Sequence, residues 1–353
     1  MNTSAERIII VQTAFLGDVV LTLPLCAASR HVLPGAEVVL VTTPAAAEFV
    51  RGLGVADEVV AFDKRGTHRK LSSQRRLAQS LSRSARTSVL VPHKSLRTAL
   101  FVRSIGADTI ITYNDAVTRW IATDVVPYPV QRHDAQRHLH LLSPLLESKC
   151  SVPDVADLLP INLGQDLPPE LMPWDLSSSA PRVVLAPATV WPTKQWPVTR
   201  MRELAARCLH EGLQVCVIGD ASVSGVMNGL DGVKDLTGRT TLGQAASVVA
   251  TANAVVANDS APVHLASLQN VGVVAIFGPT VPEFGFGPLG NRARVVQLAD
   301  LECRPCSAHG GARCPLGTHA CMTGISVDAV FETLQSILAH DVNRHAKPHE
   351  TII

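Results

Sequence analysis

Short valine-rich strands alternating with helical stretches, twice over in one chain, constrain this protein more than any other feature of its sequence. The first half opens with "RIIIVQ" (Arg7 to Gln12), then a loop and a helical stretch expected to begin near Val19. "EVVLVT" (Glu37 to Thr42), "EVVAFD" (Glu58 to Asp63), "SVLVPH" (Ser88 to His93) and "DTIITY" follow, with helical stretches between them. The second half restarts the plan at "RVVLAP" (Arg182 to Pro187) and continues through "QVCVIG" (Gln214 to Gly219), a short "KDLTG", "AVVAND" (Ala254 to Asp259) and "VVAIFG" (Val273 to Gly278). A strand covered on both faces reads as an unbroken apolar run, and strands separated by helices join through right-handed crossovers into a parallel sheet. Aromatic residues are only 4% of the chain, so the core must be built from Val, Ala and Leu.

With 353 residues the chain has room for two domains, each with its own core. The stretch "INLGQDLPPELMPWDLSSSAPR" carries four prolines and a serine run and breaks the alternation. We therefore expect a Rossmann-like domain over 1–163, a linker over 164–181 and a second Rossmann-like domain over 182–340 closed by an amphipathic helix. A tail over 341–353 follows. Two doubly wound α/β domains facing each other would turn the carboxyl ends of both sheets toward one cleft, where ligands bind in open sheets. The formal net charge is +1, which points to no polyanionic partner, and no nucleic acid is expected. The N-terminus lacks a basic start followed by an apolar stretch, and no apolar run reaches membrane-spanning length, so a cytoplasmic protein is expected. Cys26, Cys150, Cys208 and Cys216 lie in apolar context and are expected in the core, not in disulfides.

The usual glycine cradles for nucleotides, GxGxxG after the first strand and GxxxxGK[ST], are absent. Other stretches carry candidate chemistry. "LAPATVWPTKQWP" leaves a strand and enters a helix with a hydroxyl, Thr189, and a cation, Lys194, between them. Such a loop suits a phosphate or diphosphate, or its lysine is simply solvated. "VVANDSAPVHLAS" runs from a strand through Asp259 and Ser260 into a helix, as a donor-hydroxyl and diphosphate contact or as an ordinary N-cap. His264 within it is read as a packing residue. "FGPTVP" puts Thr280 at the end of the next strand. In "TAFLGDVVLTLPL", Asp18 is either a helix cap or a reacting carboxylate. The run from Lys64 to Arg86 holds eight Lys or Arg and no acid, Arg69 and Lys70 among them. It reads as a docking face for an anionic lipid or as a solvated helix face. His93, Lys94 and Ser95 follow a strand end in the same half. Late in the chain, Cys303, Cys306, Cys314 and Cys321 form one CxxC with two spaced partners. The set could ligate zinc, pack as reduced thiols or act in redox chemistry.

Together, in this order, "TAFLGDVVLTLP", "APATVWPTKQWP", "DLTGRTTLGQ", "ANDSAPVHLAS", "IFGPTVPEFGFGP" and "CRPCSAHGGARCPLGTHAC" resemble glycosyltransferase family 9, the lipopolysaccharide heptosyltransferases, from about Arg7 to about Leu338. The likeness is strongest to heptosyltransferase II-type members. It implies the GT-B fold and an inverting transfer of L-glycero-D-manno-heptose from ADP-heptose to the lipid A inner core. It assigns the base role to Asp18 and diphosphate contacts to Thr189 and Lys194, with no obligatory cofactor or metal. Beside it, Asp259 is read as a contact to a donor hydroxyl, and helix N-termini at Ser260 and near Thr280 are read as further donor contacts. His93, Lys94, Ser95, Arg69 and Lys70 become acceptor-side candidates, with peripheral contact at the inner membrane surface. Where the family usually has glycine, this chain has Ala188 and Ala261. The rivals are a different donor sugar, a nucleotide-sugar 2-epimerase, and a sugar-nucleotide or lipid-binding protein without catalysis.

Overall fold

The computed structural model describes residues 6–82, 86–146 and 151–345. Cys150 and the last residues of the expected tail, 346–353, lie outside them, as do residues 83–85 of the basic run. The chain divides into two units, Met1–Leu159 and Pro160–Ile353.

The first unit is a six-stranded parallel sheet of β1 (Arg7–Val11), β2 (Glu37–Thr42), β3 (Glu58–Ala61), β4 (Thr87–Leu90), β5 (Thr109–Tyr113) and β6 (Asp124–Val126) in the order β3-β2-β1-β4-β5-β6. The crossovers include α1 (Leu16–Val32), α2 (Pro44–Val50), α3 (Leu71–Leu81) and α4 (Leu96–Arg103), and a short α5 (Asp134–Leu139) packs on α1. Ile9, Val11, Val39, Val41 and Val89 form one core with Phe62 and Phe101, whose rings stack at 4.2 Å.

The second unit repeats the winding. It has β7 (Arg182–Ala186), β8 (Gln214–Val217), β9 (Val233–Asp235), β10 (Ala254–Asn258), β11 (Gly272–Phe277) and β12 (Ala293–Gln297) in the order β12-β11-β10-β7-β8-β9, all parallel. Its helices are α6 (Val198–His210), α7 (Leu242–Ala250), α8 (Ala261–Leu268), α9 (Ala320–Thr323) and α10 (Val327–His345). Alternate residues of β7 feed two cores. Val183 and Leu185 join Trp196, Met201 and Phe331 on one face, and Val184 and Ala186 join Val248, Val263 and Phe277 on the other. In each unit the first strand and the fourth are neighbours, and the winding runs outward from them in opposite directions.

Two expectations shift. Residues 164–181, read as a linker, contribute Leu171 and Trp174 to the second core, and the Trp174 indole N–H donates to Thr251 Oγ1 at 2.8 Å. Prolines extend this segment, but its buried Leu and Trp fix it to the unit. The terminal helix runs past the expected boundary at 340 to His345. Among the described residues no helix is long and apolar enough to cross a membrane.

Trp196 is fully buried, and its backbone N–H donates to Asn258 Oδ1 at 2.9 Å while its indole N–H donates to Ile325 O at 3.1 Å. It ties the loop after β7 to the end of β10. Trp196→Ala should destabilise the second unit by about 3–5 kcal/mol. Denaturant unfolding followed by domain-resolved hydrogen exchange checks this: the transition of the second unit should move to lower denaturant and that of the first should not.

Candidate active site

In the second unit the winding reverses between β7 and β10, and the candidate residues gather at the carboxyl ends of those strands. Lys194 Nζ lies 2.6 Å from Asp259 Oδ2, and both side chains are largely buried. Thr280, just after β11, donates from Oγ1 to the same Asp259 oxygen at 2.6 Å. The platform beneath is fixed by buried Asn258, whose Nδ2 donates to Pro187 O at 2.8 Å while its Oδ1 takes the Trp196 amide. Residues from three strand ends thus meet at one carboxylate. The sequence reading gave Asp259 to a ligand hydroxyl and Lys194 to a phosphate; the structure joins them to each other first. Thr189 is half-buried on the same loop but does not hydrogen-bond to the trio. Ser260 precedes α8, yet its hydroxyl donates back to Asn258 O at 3.1 Å and does not cap the helix. Beyond Thr280 there is a single 3-10 turn, Pro282–Phe284, and not the α-helix start expected there. The turn starts at Pro282 and closes at Gly285, whose φ of 96° ends it. Ala188 and Ala261 both keep negative φ, so neither replacement of glycine strains the backbone.

The cysteine-rich segment packs on this site. Thr193 Oγ1 donates to Gly311 O at 2.9 Å, His319 Nε2 lies 2.6 Å from Thr193 O, and the Cys306 amide donates to Pro279 O at 2.8 Å. Gly310 has φ of 91°, and a Cβ there would stand 3.1 Å from Lys194 Cε and 3.0 Å from Trp191 Cβ. Only glycine lets the segment press so closely on the lysine. Cys306, Cys314 and Cys321 line one small pocket with Thr193 and His319. Among the described residues no three His, Cys, Asp or Glu side chains are grouped so as to hold a metal ion. Cys303, Cys306, Cys314 and Cys321, candidate zinc ligands by spacing, thus sit in one segment without forming a ligand set. Cys26, Cys208 and Cys216 are buried, and so is His264 in α8.

In the first unit, Asp18 is not the N-cap of its helix, although its carboxylate accepts from the amide of Phe15, the residue that is. Phe15 precedes α1, which begins at Leu16, so Asp18 sits in the first turn. Burial, then the nearby Asp134 carboxylate, push its pKa above the ordinary carboxylate range, against the opposing pull of His138 and of the Phe15 amide. Asp134 belongs to a buried cluster on α5 that the sequence reading missed. Its Oδ1 lies 3.4 Å from Arg137 Nη1 and its Oδ2 3.3 Å from His138 Nε2, and His138 Nδ1 lies 3.2 Å from Leu21 O. Acid, arginine and histidine at i, i+3 and i+4 share one helix face. That spacing in "DAQRH" was the available signal.

The other strand ends of the first sheet form a second group. Thr13 Oγ1, after β1, lies 2.8 Å from His93 Nδ1, after β4. Lys64, after β3, donates to Thr13 Oγ1 at 2.5 Å and to Thr98 Oγ1 at 2.9 Å. Ser95 caps α4 by accepting the Thr98 amide at 3.2 Å. His93 and Ser95 therefore come together at Thr98, whose Oγ1 lies 3.0 Å from His93 Nδ1 and 2.9 Å from Ser95 Oγ. Lys94 does not join them: it pairs with Asp115 at 2.7 Å and lies over the Tyr128 ring at 3.2 Å. Arg69 and Lys70 are exposed ahead of α3, whose Arg75 and Arg76 are exposed as well.

The sequence matches Glycosyltransferase family 9 (heptosyltransferase) over residues 74–313. It is 30% identical to lipopolysaccharide heptosyltransferase 2 of Escherichia coli strain K12 over 48% of this chain and 50% of that protein. It is 28% identical to lipopolysaccharide heptosyltransferase 1 of Pseudomonas aeruginosa over 85% of this chain and 86% of that protein. The match thus spans about half the length of the first of these relatives. The structure of E. coli ADP-heptose lps heptosyltransferase II superposes with a TM-score of 0.72 at 21% identity, covering 95% of this chain and 99% of that one. At that identity the likeness speaks for the fold, the GT-B class of two Rossmann-like units.

The raised pKa of Asp18 has a consequence for stability. A carboxyl group held above its unfolded value contributes stability below that unfolded value and loses it as pH rises through the folded one. Ionised Asp18 therefore costs stability at neutral pH. Asp18→Asn should melt at a higher temperature than wild type at pH 7, and the gain should vanish as the pH falls through the carboxylate range. Calorimetry of both proteins from pH 7 to pH 4 measures it.

Proposed function

Because this chain belongs to glycosyltransferase family 9, we propose that it transfers L-glycero-D-manno-heptose from ADP-heptose to the lipid A inner core of lipopolysaccharide, with inversion at the anomeric carbon. The observation that carries the reading is the cation Lys194, held by Asp259 where the winding of the second sheet reverses. This is where a doubly wound sheet receives a nucleotide, and an oriented ammonium there meets the charge of a diphosphate leaving group. Asp259 and Thr280 keep Lys194 extended into that position, and Asp259 retains a second oxygen for a hydroxyl of the donor. The first turn of α8 adds backbone N–H groups on the same side.

In the step itself, the acceptor oxygen bonds to the anomeric carbon as the bond from that carbon to the diphosphate breaks. The electron pair leaves with ADP, and the acceptor proton passes to the Asp18 carboxylate. An ordinary aspartate is a weak base; burial and the Asp134 charge bring Asp18 closer to the working pH. The anionic lipid acceptor belongs to the first unit, and the exposed Arg69, Lys70, Arg75 and Arg76 suit peripheral contact with an anionic membrane surface. The enzyme would then work at the cytoplasmic face of that membrane. A 2-epimerase would need acid and base on both faces of the sugar, which Asp18 alone does not supply.

Incubation with ADP-heptose and Kdo-lipid A should add one heptose mass to the lipid, read by mass spectrometry. Asp18→Asn should lower kcat by about 10²–10⁴-fold while leaving ADP affinity unchanged. An Asp18→Asn enzyme turning over at the wild-type rate contradicts the base assignment, and an altered free nucleotide-sugar with unmodified lipid contradicts the transferase.

A further inference from the structure

One face of the first sheet is covered by a helical layer whose outer side carries no acid. α3, α4 and the 3-10 helix Val117–Ile121 all send side chains into the same core, where Leu81, Phe101 and Ile121 meet Ile9 and Val89. α3 packs beside α4, and α4 beside the 3-10 helix. The three segments contain no Asp or Glu, yet they contain Arg75, Arg76, Arg97, Arg103 and Arg119, all exposed. In a chain of net charge +1 this is a pronounced local excess. The acids that flank the layer are engaged elsewhere. Asp108 accepts the Thr87 amide at 2.8 Å, and Asp115 pairs with Lys94 at 2.7 Å.

The same outer side is apolar between its charges. Leu96 and Leu100, one turn apart on α4, are both exposed, and Arg103 continues their row. The Arg103 guanidinium lies 5.7 Å from the centre of the Trp120 ring, which joins that row to the 3-10 helix. Val117 stands three residues before Trp120 and so shares its side of the 3-10 helix. Trp120 is 51% exposed, unlike Trp174 and Trp196, which are buried. Large apolar side chains on a soluble surface are ordinarily scattered singly; here they form one patch threaded with arginine. A second copy of the chain fits the patch poorly, because a symmetric contact would set these arginines against their own counterparts. An anionic bilayer fits it well. Leucine and valine enter the acyl boundary, an indole rests at headgroup level, and guanidinium groups meet lipid phosphates.

We propose that α4 and the 3-10 helix Val117–Ile121 dock this protein on an anionic bilayer, with Trp120 and Leu100 entering the headgroup–acyl boundary and Arg97, Arg103 and Arg119 on lipid phosphates. The proposal rests on the reading above for a membrane-borne acceptor, and it adds an apolar anchor to the electrostatic contact of Arg69, Lys70, Arg75 and Arg76. Its test uses vesicles that contain neither donor nor acceptor, so it stands or falls apart from the transfer reaction.

The full chain is titrated with vesicles of phosphatidylglycerol and phosphatidylethanolamine, and with vesicles of phosphatidylcholine alone, and binding is read by co-flotation. Wild type should bind the anionic vesicles and leave the zwitterionic ones. Trp120→Ser should weaken binding by about tenfold or more, Leu100→Ser by a smaller factor, and Arg103→Gln by about fivefold. Melting temperatures close to wild type show that the variants are folded. Trp120 is the one tryptophan of the first unit, so lipids brominated on the acyl chain should quench fluorescence in wild type and much less in Trp120→Ser. A Trp120→Ser protein that binds as tightly as wild type overturns the proposal, as does a bound wild type whose Trp120 is not quenched. Wild type that ignores anionic vesicles but forms a dimer lost in Trp120→Ser also overturns it, and assigns the face to a second copy. Wild type that binds the vesicles as described but transfers no heptose to Kdo-lipid A supports this docking face and defeats the transferase reading alone.

Discussion

A parallel sheet wound outward in both directions sends the crossovers on either side of its first strand along opposite faces, and a gap opens at that strand's carboxyl end. The strand-end clusters of both units answer to that gap. The first unit places Thr13 and His93 on the two strands flanking it, and the second places Lys194 and Asp259 there. The apolar runs that make β1, β7 and β10 fully interior also force the polar residues to appear where the strands stop. Burial of the strands and exposure of the chemistry are one constraint seen from its two ends.

The two reversal points differ in charge, and the difference maps onto what each is proposed to do. In the second, the lysine is pre-paired with an acid and a hydroxyl and backed by Asn258 and a buried tryptophan. A diphosphate leaving group needs charge stabilisation that is already oriented when the bond breaks, and a rigid pair provides it. In the first, Lys64 has hydroxyl partners, Thr13 and Thr98, and among the described residues no carboxylate lies within ion-pair distance of it. Nearby, Asp18 is kept from its ordinary pKa by burial and by Asp134, itself held by Arg137 and His138.

Much of this was legible in the sequence. The interior strands announced themselves because burial on both faces leaves unbroken Val and Ile runs. Asp259 and Thr280 were visible as donor-side candidates because each closely follows such a run. Edge elements were harder. β6 has three residues and β12 is only half-buried, so neither shows a clear apolar pattern. α5 has six residues, and its buried face is charged, which inverts the usual signal of amphipathicity. That is why Asp134, Arg137 and His138 were missed. Residues 164–181 looked like a linker because proline and serine outweigh two buried anchors in composition but not in energy. Lys64 was hidden in a basic run. Composition could not separate the one lysine turned toward the strand ends from those left in solvent, and it could not reveal that Lys94 is spent on Asp115 and Tyr128.

The central claim is that each reversal point is a separate ligand site, nucleotide at the second sheet and acceptor at the first. Hydrogen–deuterium exchange with ADP alone tests it most directly. The account predicts slowed exchange at 187–196, 258–264 and 279–282, with no change at 13–19 or 91–98. Protection by ADP at the ends of β1 and β4, with none at β7 and β10, would contradict it.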